Sequence, residues 1–297
     1  MHRPTPAVTG DPEPLPASIE VSPKLLARDR SLLGQIPRGT RVHIVDTGAT
    51  DVATWVQSAR IVASADLVPV PHVAARRISS VRDIEARLGA MSRDAGVRDA
   101  LVIGGGAASP AGPFASSMDL LDTGLFEAHG IRDIGIAGHP EGSPDVPATA
   151  IDQARAWKVA WAERTGVRLR IVTQFSFDAT ATRAWIDRLA GLNVTLPLHV
   201  GIAGPTGLAS LLRYAALCGV KASATAAARR GSALSALVTS YTPEPFAQSI
   251  EAHAARPAGR TIAGLHVFPF GGLAATAAWL AQRGSWASDT ARDGDSA

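Results

Sequence analysis

Ser18-Ile19-Glu20-Val21-Ser22-Pro23-Lys24 is a short apolar run, broken by one carboxylate and closed by a Ser-Pro pair, and it is the first strand candidate of the chain. No glycine follows it. A doubly wound dinucleotide-binding fold places a glycine-rich phosphate turn directly after its first strand, so this stretch argues against that fold. Further strand candidates lie at 41–45, 66–70, 100–103, 133–137, 168–173, 195–202 and 264–268, which with the first make eight. Helical periodicity fills the intervals. Asp178 caps a helix that buries Trp185, Ile186 and Leu189 and stops at Gly191, and Thr206 opens another that reaches Gly219. Ile151, Ala154, Trp157 and Trp161 share one face of a helix over 148–163. Eight strands alternating with helices in 297 residues predict an α/β protein, a single-domain (β/α)8 TIM barrel over residues 17–283, with its active site where the strands' C-terminal ends meet the following loops.

Composition narrows the function classes. Hydrophobic residues make up 46% of the chain and charged ones 19%, with a net charge of +3, so a large core is available and no strong positive field is. Basic runs are no denser than Ala74-Ala75-Arg76-Arg77 or Ala228-Arg229-Arg230, and aromatics are 5%, which speaks against a nucleic-acid surface. The one cysteine, Cys218 in an apolar helix, excludes an internal disulfide framework and a thiolate metal cluster. Residues 1–16, with Pro4, Pro6, Pro12, Pro14 and Pro16, lack a secretory layout and read as a flexible leader; residues 284–297 read as a polar tail that frays, and a cytoplasmic location is expected. The stretch 261–282 has no Asp, Glu, Lys or Arg, but Pro269 and Gly271-Gly272 divide it into a strand and a helix, so no membrane span is expected.

Polar residues at the strand ends are then the ones to weigh: Glu20, Asp46 with Thr47, His72, the Gly104-Gly105-Gly106 loop, His139 with Glu141, Gln174 and His266. Glu20 interrupts an apolar strand, and burial there raises a carboxyl's pKa and makes it a general-acid candidate; a structural carboxylate paired with arginine is the alternative. The glycine loop is either a close approach for phosphate or a plain tight turn. Gln174, flanked by Phe175 and Phe177, suits a flat heteroaromatic ring with donors and acceptors. The histidines lack metal-ligand spacing, and no metal is expected.

Four motifs in order resemble the methylenetetrahydrofolate reductases, in particular the short bacterial type that consists of the catalytic barrel. Ser18 to Lys24 is similar to the family's opening Phe-Glu-Phe-Phe-Pro-Pro strand, and Pro71-His72 to its Pro-His motif. Gly138-His139-Pro140-Glu141-Gly142-Ser143-Pro144 is similar to its Gly-Tyr-Pro-Glu-x-His-Pro loop, and Val172-Thr173-Gln174-Phe175-Ser176-Phe177-Asp178 to its Thr-Gln-Phe-Phe-Phe-Asp segment. The resemblance implies reduction of 5,10-methylenetetrahydrofolate to 5-methyltetrahydrofolate with NAD(P)H, NADH favoured. By the same resemblance Glu20 is the catalytic acid, and Gln174, Phe175 and Phe177 contact substrate. His72, Gly104, Gly105, Gly106, His139 and Lys158 line the cofactor. Most members use bound FAD, while some short divergent relatives take hydride directly from NADH. Here glycines stand where the family has Arg-Gly-Asp, His139 replaces a tyrosine, and Asp152 and Arg155 are off register, which leaves both routes open. Oxidation of methyltetrahydrofolate in a demethylation pathway and a non-catalytic folate-binding barrel are the alternatives; the folate is the expected partner, with homo-oligomerisation left open.

Overall fold

The computed structural model describes residues 13–46, 50–144, 146–207, 211, 240–270 and 272–286. Eight parallel strands close on themselves: β1 (Ala17–Val21), β2 (Arg41–Ile44), β3 (Val68–Ala74), β4 (Asp99–Ile103), β5 (Asp133–Gly138), β6 (Arg168–Thr173), β7 (Leu198–Ala203) and β10 (Ile262–Phe268). β1 pairs with both β2 and β10, so the (β/α)8 barrel has no free edge. A separate antiparallel pair, β8 (Thr206–Gly207) and β9 (Ser240–Tyr241), sits after β7. The helices are α1 (Pro23–Arg28), α2 (Val52–Ala63), α3 (Val81–Ala95), α4 (Ser117–Leu121), α5 (Leu125–Ala128), α6 (Ala148–Thr165), α7 (Ala179–Gly191), α8 (Glu244–Ala254) and α9 (Leu273–Gln282). α7 starts as its sequence dictates, with the Asp178 carboxylate accepting from the N–H groups of Thr180 and Ala181 at 2.9 and 3.0 Å.

Strand alternation sorts the side chains into two populations. Ile19, Val42, Val102, Ile134, Ile171, Val200 and Val267 face outward and join the buried core under the helices. The inward positions are different. Apart from an apolar group of Val70, Leu101 and Val172, they carry Ser18, Glu20, His43, His72, Asp99, Arg170, His199 and His266, where barrels of this kind usually stack branched aliphatics. At the base, the Asp99 carboxylate accepts from Arg170 Nη2 at 2.6 Å and from Arg41 Nε at 2.9 Å. Asp99 and Arg170 are both buried, so this bridge offsets two desolvated charges rather than decorating a surface.

Several boundaries differ from the sequence reading, each for a local reason. β3 does not begin at Asp66, whose φ of 58° is left-handed; it runs instead through Pro69 and Pro71 to Ala74. Both prolines are accommodated because Val68 donates to Thr40 on the β2 side, so the prolines turn toward β4, and β4 pairs only with His72 to Ala74. His72 is therefore inside the barrel wall, not past the strand's end. β7 starts at Leu198, after Pro197. Thr206 belongs to a strand and does not open a helix; most of the remainder of that expected helix, with Cys218, lies outside the described residues, as does Thr47. On α6, Trp161 and Lys158 are buried while Ile151, Ala154 and Trp157 are half-buried.

The chain ends at the barrel are docked where they are described. Leu15 N–H donates to Glu251 at 2.9 Å, and Leu265 N–H donates to Pro16 at 2.8 Å. Trp286, two residues into the expected fraying tail, is buried, and its indole N–H donates to the Ala17 carbonyl at 2.9 Å. An aromatic ring with a polar handle closes the base better than solvent does. The stretch 261–282 divides as expected into β10 and α9, and no helix among the described residues is long and apolar enough to cross a membrane.

Asp99→Ala is expected to destabilise the protein by about 3–5 kcal/mol, because it strands Arg170 in the interior. Urea unfolding checks this, and the double replacement Asp99→Leu/Arg170→Met should recover most of the loss.

Candidate active site

Glu20 projects inward from β1, and its two nearest polar neighbours come from strands far away in sequence. His266 Nε2 on β10 is 3.3 Å from Glu20 Oε1, and His72 Nε2 on β3 is 3.7 Å from the same oxygen. Behind them, His43 Nδ1 on β2 meets His72 Nε2 at 3.1 Å, and the His43 and His266 rings approach to 4.2 Å between centroids. Ser18, two residues before Glu20 and on the same inward face, sits 2.9 Å from His266 Nδ1 and donates to the Leu265 carbonyl at 3.3 Å. Thus the register that pairs Glu20 with His43 and Ser18 with His266 gathers one acid, one hydroxyl and three imidazoles in the barrel's upper interior.

Burial sets the protonation of this group. Desolvation pushes the Glu20 carboxyl up to about 7, against a smaller opposing pull from His72. The same desolvation takes His72 down to about 4 and His266 down to about 3, with Arg170 adding to the latter effect. His43 falls well below its ordinary value for the same reason, with His266 next in weight. At neutral pH the cluster is an acid poised to hold or release a proton among neutral imidazoles.

An aromatic wall adjoins it. Phe175 is fully buried at the end of β6, with Phe270, Phe268 and Phe177 around it at 4.9, 5.2 and 5.5 Å. Tyr241 packs on Phe177 at 5.7 Å, and Phe268 touches the His266 ring at 4.9 Å, which links the wall to the acid cluster. Gln174 begins this wall. Its Oε1 accepts the Phe175 N–H at 3.1 Å, which leaves the amide NH2 end as the donor.

The other expected positions form separate groups. The Gly104 carbonyl accepts the Arg76 N–H at 3.0 Å, and the Arg76 side chain holds Ala107 and Ala115, so the glycine loop is a clamped turn with Gly105 at φ 84°. Arg77 bonds Asp46 through both its carbonyl and its carboxylate. His139, in the loop after β5, lies near Lys158 of α6, and Glu141 follows in the same loop. Among the described residues, His139 Nδ1 and Glu141 Oε1 are buried without a hydrogen-bond partner, and desolvation lowers Lys158 to about 8. A cavity of about 360 Å³ opens beside His139, between its loop, α6 and α7. Among the described residues no three His, Cys, Asp or Glu side chains are arranged to hold a metal ion.

The structure thus brings Glu20, His72 and His266 together, and joins Phe175, with Gln174 and Phe177 on either side of it in the loop, to that cluster through Phe268. Ser18, His43, Phe268, Phe270 and Tyr241 were not singled out from sequence. The signal for His43 was present: Val42-His43-Ile44 repeats the Ile19-Glu20-Val21 pattern of a polar side chain between outward apolar ones.

No protein-family profile matches the chain. A solved structure of the GH20 β-N-acetylhexosaminidase from Streptomyces coelicolor A3(2) is similar at 13% identity and a TM-score of 0.36, over 64% of this chain and 49% of that one. The chain spans about half the length of that protein, and the likeness is too slight to carry any chemistry across.

Removing the titrating acid should stabilise the fold at high pH. Because folded Glu20 binds its proton more tightly than the unfolded chain does, the penalty for ionising it builds between pH 4.5 and 7 and is constant above. Glu20→Gln is expected to be more stable than wild type by about 3 kcal/mol at pH 8, with the gain vanishing near pH 4.5, as read by denaturant unfolding across pH.

Proposed function

We propose that this protein is a methylenetetrahydrofolate reductase-like oxidoreductase that reduces 5,10-methylenetetrahydrofolate to 5-methyltetrahydrofolate, with NAD(P)H as hydride donor and NADH favoured. The observation that carries this reading is Glu20, a carboxyl raised to about 7 by desolvation, whose neighbour His266 packs on the phenylalanine wall that Gln174 begins. Opening the methylene bridge needs a proton on the departing nitrogen. The bond then breaks to an iminium whose carbon accepts hydride. A carboxyl that is still partly protonated at neutral pH supplies that proton, and the Gln174 amide with the aromatic wall suits the flat pterin.

FAD is the usual carrier in the family, and the residues present do not suit it. On α6, Arg155 is bound to Asp152 at 2.7 Å and Arg188 binds the same carboxylate; Arg164 lies in the last turn, so Lys158 is the basic residue left for a diphosphate on the turns before it. The Gly104 loop offers no acid, and Arg76 holds its carbonyls. Direct transfer from NADH to the iminium carbon accords with these groups. Lys158 and His139 then stand as candidate contacts for a nucleotide phosphate, since a lysine near 8 still carries charge at neutral pH.

Anaerobic NADH oxidation in the presence of 5,10-methylenetetrahydrofolate should yield the methyl product, and its absence would overturn the proposal. The purified protein should lack absorbance near about 450 nm. Glu20→Gln should lower kcat by about 100-fold or more with the fold intact. In wild type, kcat should fall as pH rises through about 7, because the acid must be protonated to act.

A further inference from the structure

The two imidazole nitrogens nearest Glu20 are not equivalent. His266 Nε2 lies 3.3 Å from the carboxyl, within hydrogen-bond reach, whereas His72 Nε2 lies at 3.7 Å, beyond it, and is bonded to His43 Nδ1 at 3.1 Å instead. We propose that His43 is a positioning residue of this site: by engaging His72 Nε2 it keeps that nitrogen from donating to Glu20, and the carboxyl holds its proton as a result. This inference rests on the reading of Glu20 as a general acid.

Either tautomer of the histidine pair has this effect. If His72 carries its proton on Nε2, that proton goes to His43 Nδ1. If His72 carries it on Nδ1, its Nε2 lone pair accepts from His43 Nδ1–H, and the nitrogen faces Glu20 with nothing to donate. An ionised Glu20 gains no short bond from β3 in either case. His266 is oriented the other way. Ser18 donates to the Leu265 carbonyl at 3.3 Å, so its oxygen can accept from His266 Nδ1–H at 2.9 Å, and Nε2 is then a lone pair facing the Glu20 hydroxyl. One neighbour accepts from the protonated acid while the other is held off the ionised one, and both effects favour the protonated form.

Register places His43 for this task. It is the partner of Glu20 on β2, it is buried, and its ring is packed between His72, edge to face at 5.3 Å, and His266 at 4.2 Å. The titratable and charged groups that face this group of side chains are Glu20 from β1, His72 from β3, Arg170 from β6, His199 from β7 and His266 from β10. Burial first, then His266, His72 and Arg170, hold His43 neutral, so it acts on His72 as a hydrogen-bond partner and not as a second cation.

Removing the His43 ring frees His72 Nε2–H for the carboxylate, and a bond to an ionised acceptor is about twice as strong as the neutral one it replaces. His43→Leu should therefore lower the Glu20 midpoint, read by 13C NMR, by about one pH unit, a tenfold change in its ionisation constant, although the added aliphatic surface alone would raise it. From a wild-type midpoint of about 7, kcat should then fall about fivefold at pH 7 and agree with wild type within about twofold near pH 5. His43→Asn puts an amide that can accept or donate in place of Nδ1, and should return the midpoint to within about 0.3 unit of wild type. A further readout needs no variant: 15N NMR of the wild-type protein should show scalar coupling across the hydrogen bond between a His43 and a His72 ring nitrogen. An unmoved midpoint in His43→Leu, with kcat lowered equally at every pH, would overturn the role, as would the absence of that coupling. A lowered midpoint in a protein that turns over no folate would support the role of His43 and overturn the folate reading instead.

Discussion

Glu20 has neutral imidazoles for neighbours and, among the described residues, no lysine or arginine within bonding distance, and the rest of the site follows from that. A buried carboxyl beside arginine would ionise and stay ionised; beside His72 and His266, both held neutral by desolvation, it keeps its proton until about pH 7. The barrel achieves this by segregating its charge. Arg41 and Arg170 are drawn down to Asp99 at the base, one layer or more below Glu20, where their charge still discourages protonation of the histidines yet cannot pair with the acid.

That arrangement makes the interior both a stability liability and a functional asset. Parallel strands usually fill such a space with valine, isoleucine and leucine. Here the aliphatic share is confined to Val70, Leu101, Val172 and their neighbours, and the outward faces under the helices supply most of the hydrophobic stabilisation. The polar interior is held by a complete hydrogen-bond line from the Leu265 carbonyl through Ser18 and His266 to Glu20, and by the Asp99 bridge below.

The barrel itself was legible because its outward residues alternate with turn and cap signals, as Asp178 shows by capping α7 where expected. Glu20 was legible for the same reason, as a break in an apolar strand. His43, His199 and Arg170 carry the same signature in Val42-His43-Ile44, Leu198-His199-Val200 and Leu169-Arg170-Ile171, but attention to strand ends passed over mid-strand positions. β3, expected over 66–70, runs on to Ala74, and only the pairing partner on each side reveals that the missing N–H groups of Pro69 and Pro71 cost no ladder bond. Trp286 was illegible in a polar tail, since a single aromatic residue has no periodicity to announce its burial. Which histidines touch Glu20 depends on barrel closure and register, long-range facts that no local pattern encodes.

The most direct test is the titration of the Glu20 carboxyl carbon by 13C NMR in the wild-type protein, assigned by comparison with Glu20→Gln. A midpoint near pH 7 is the predicted result. A midpoint at or below the ordinary 4.5 would mean that the carboxylate is solvated or ion-paired, and would contradict its role as an acid held ready in the barrel.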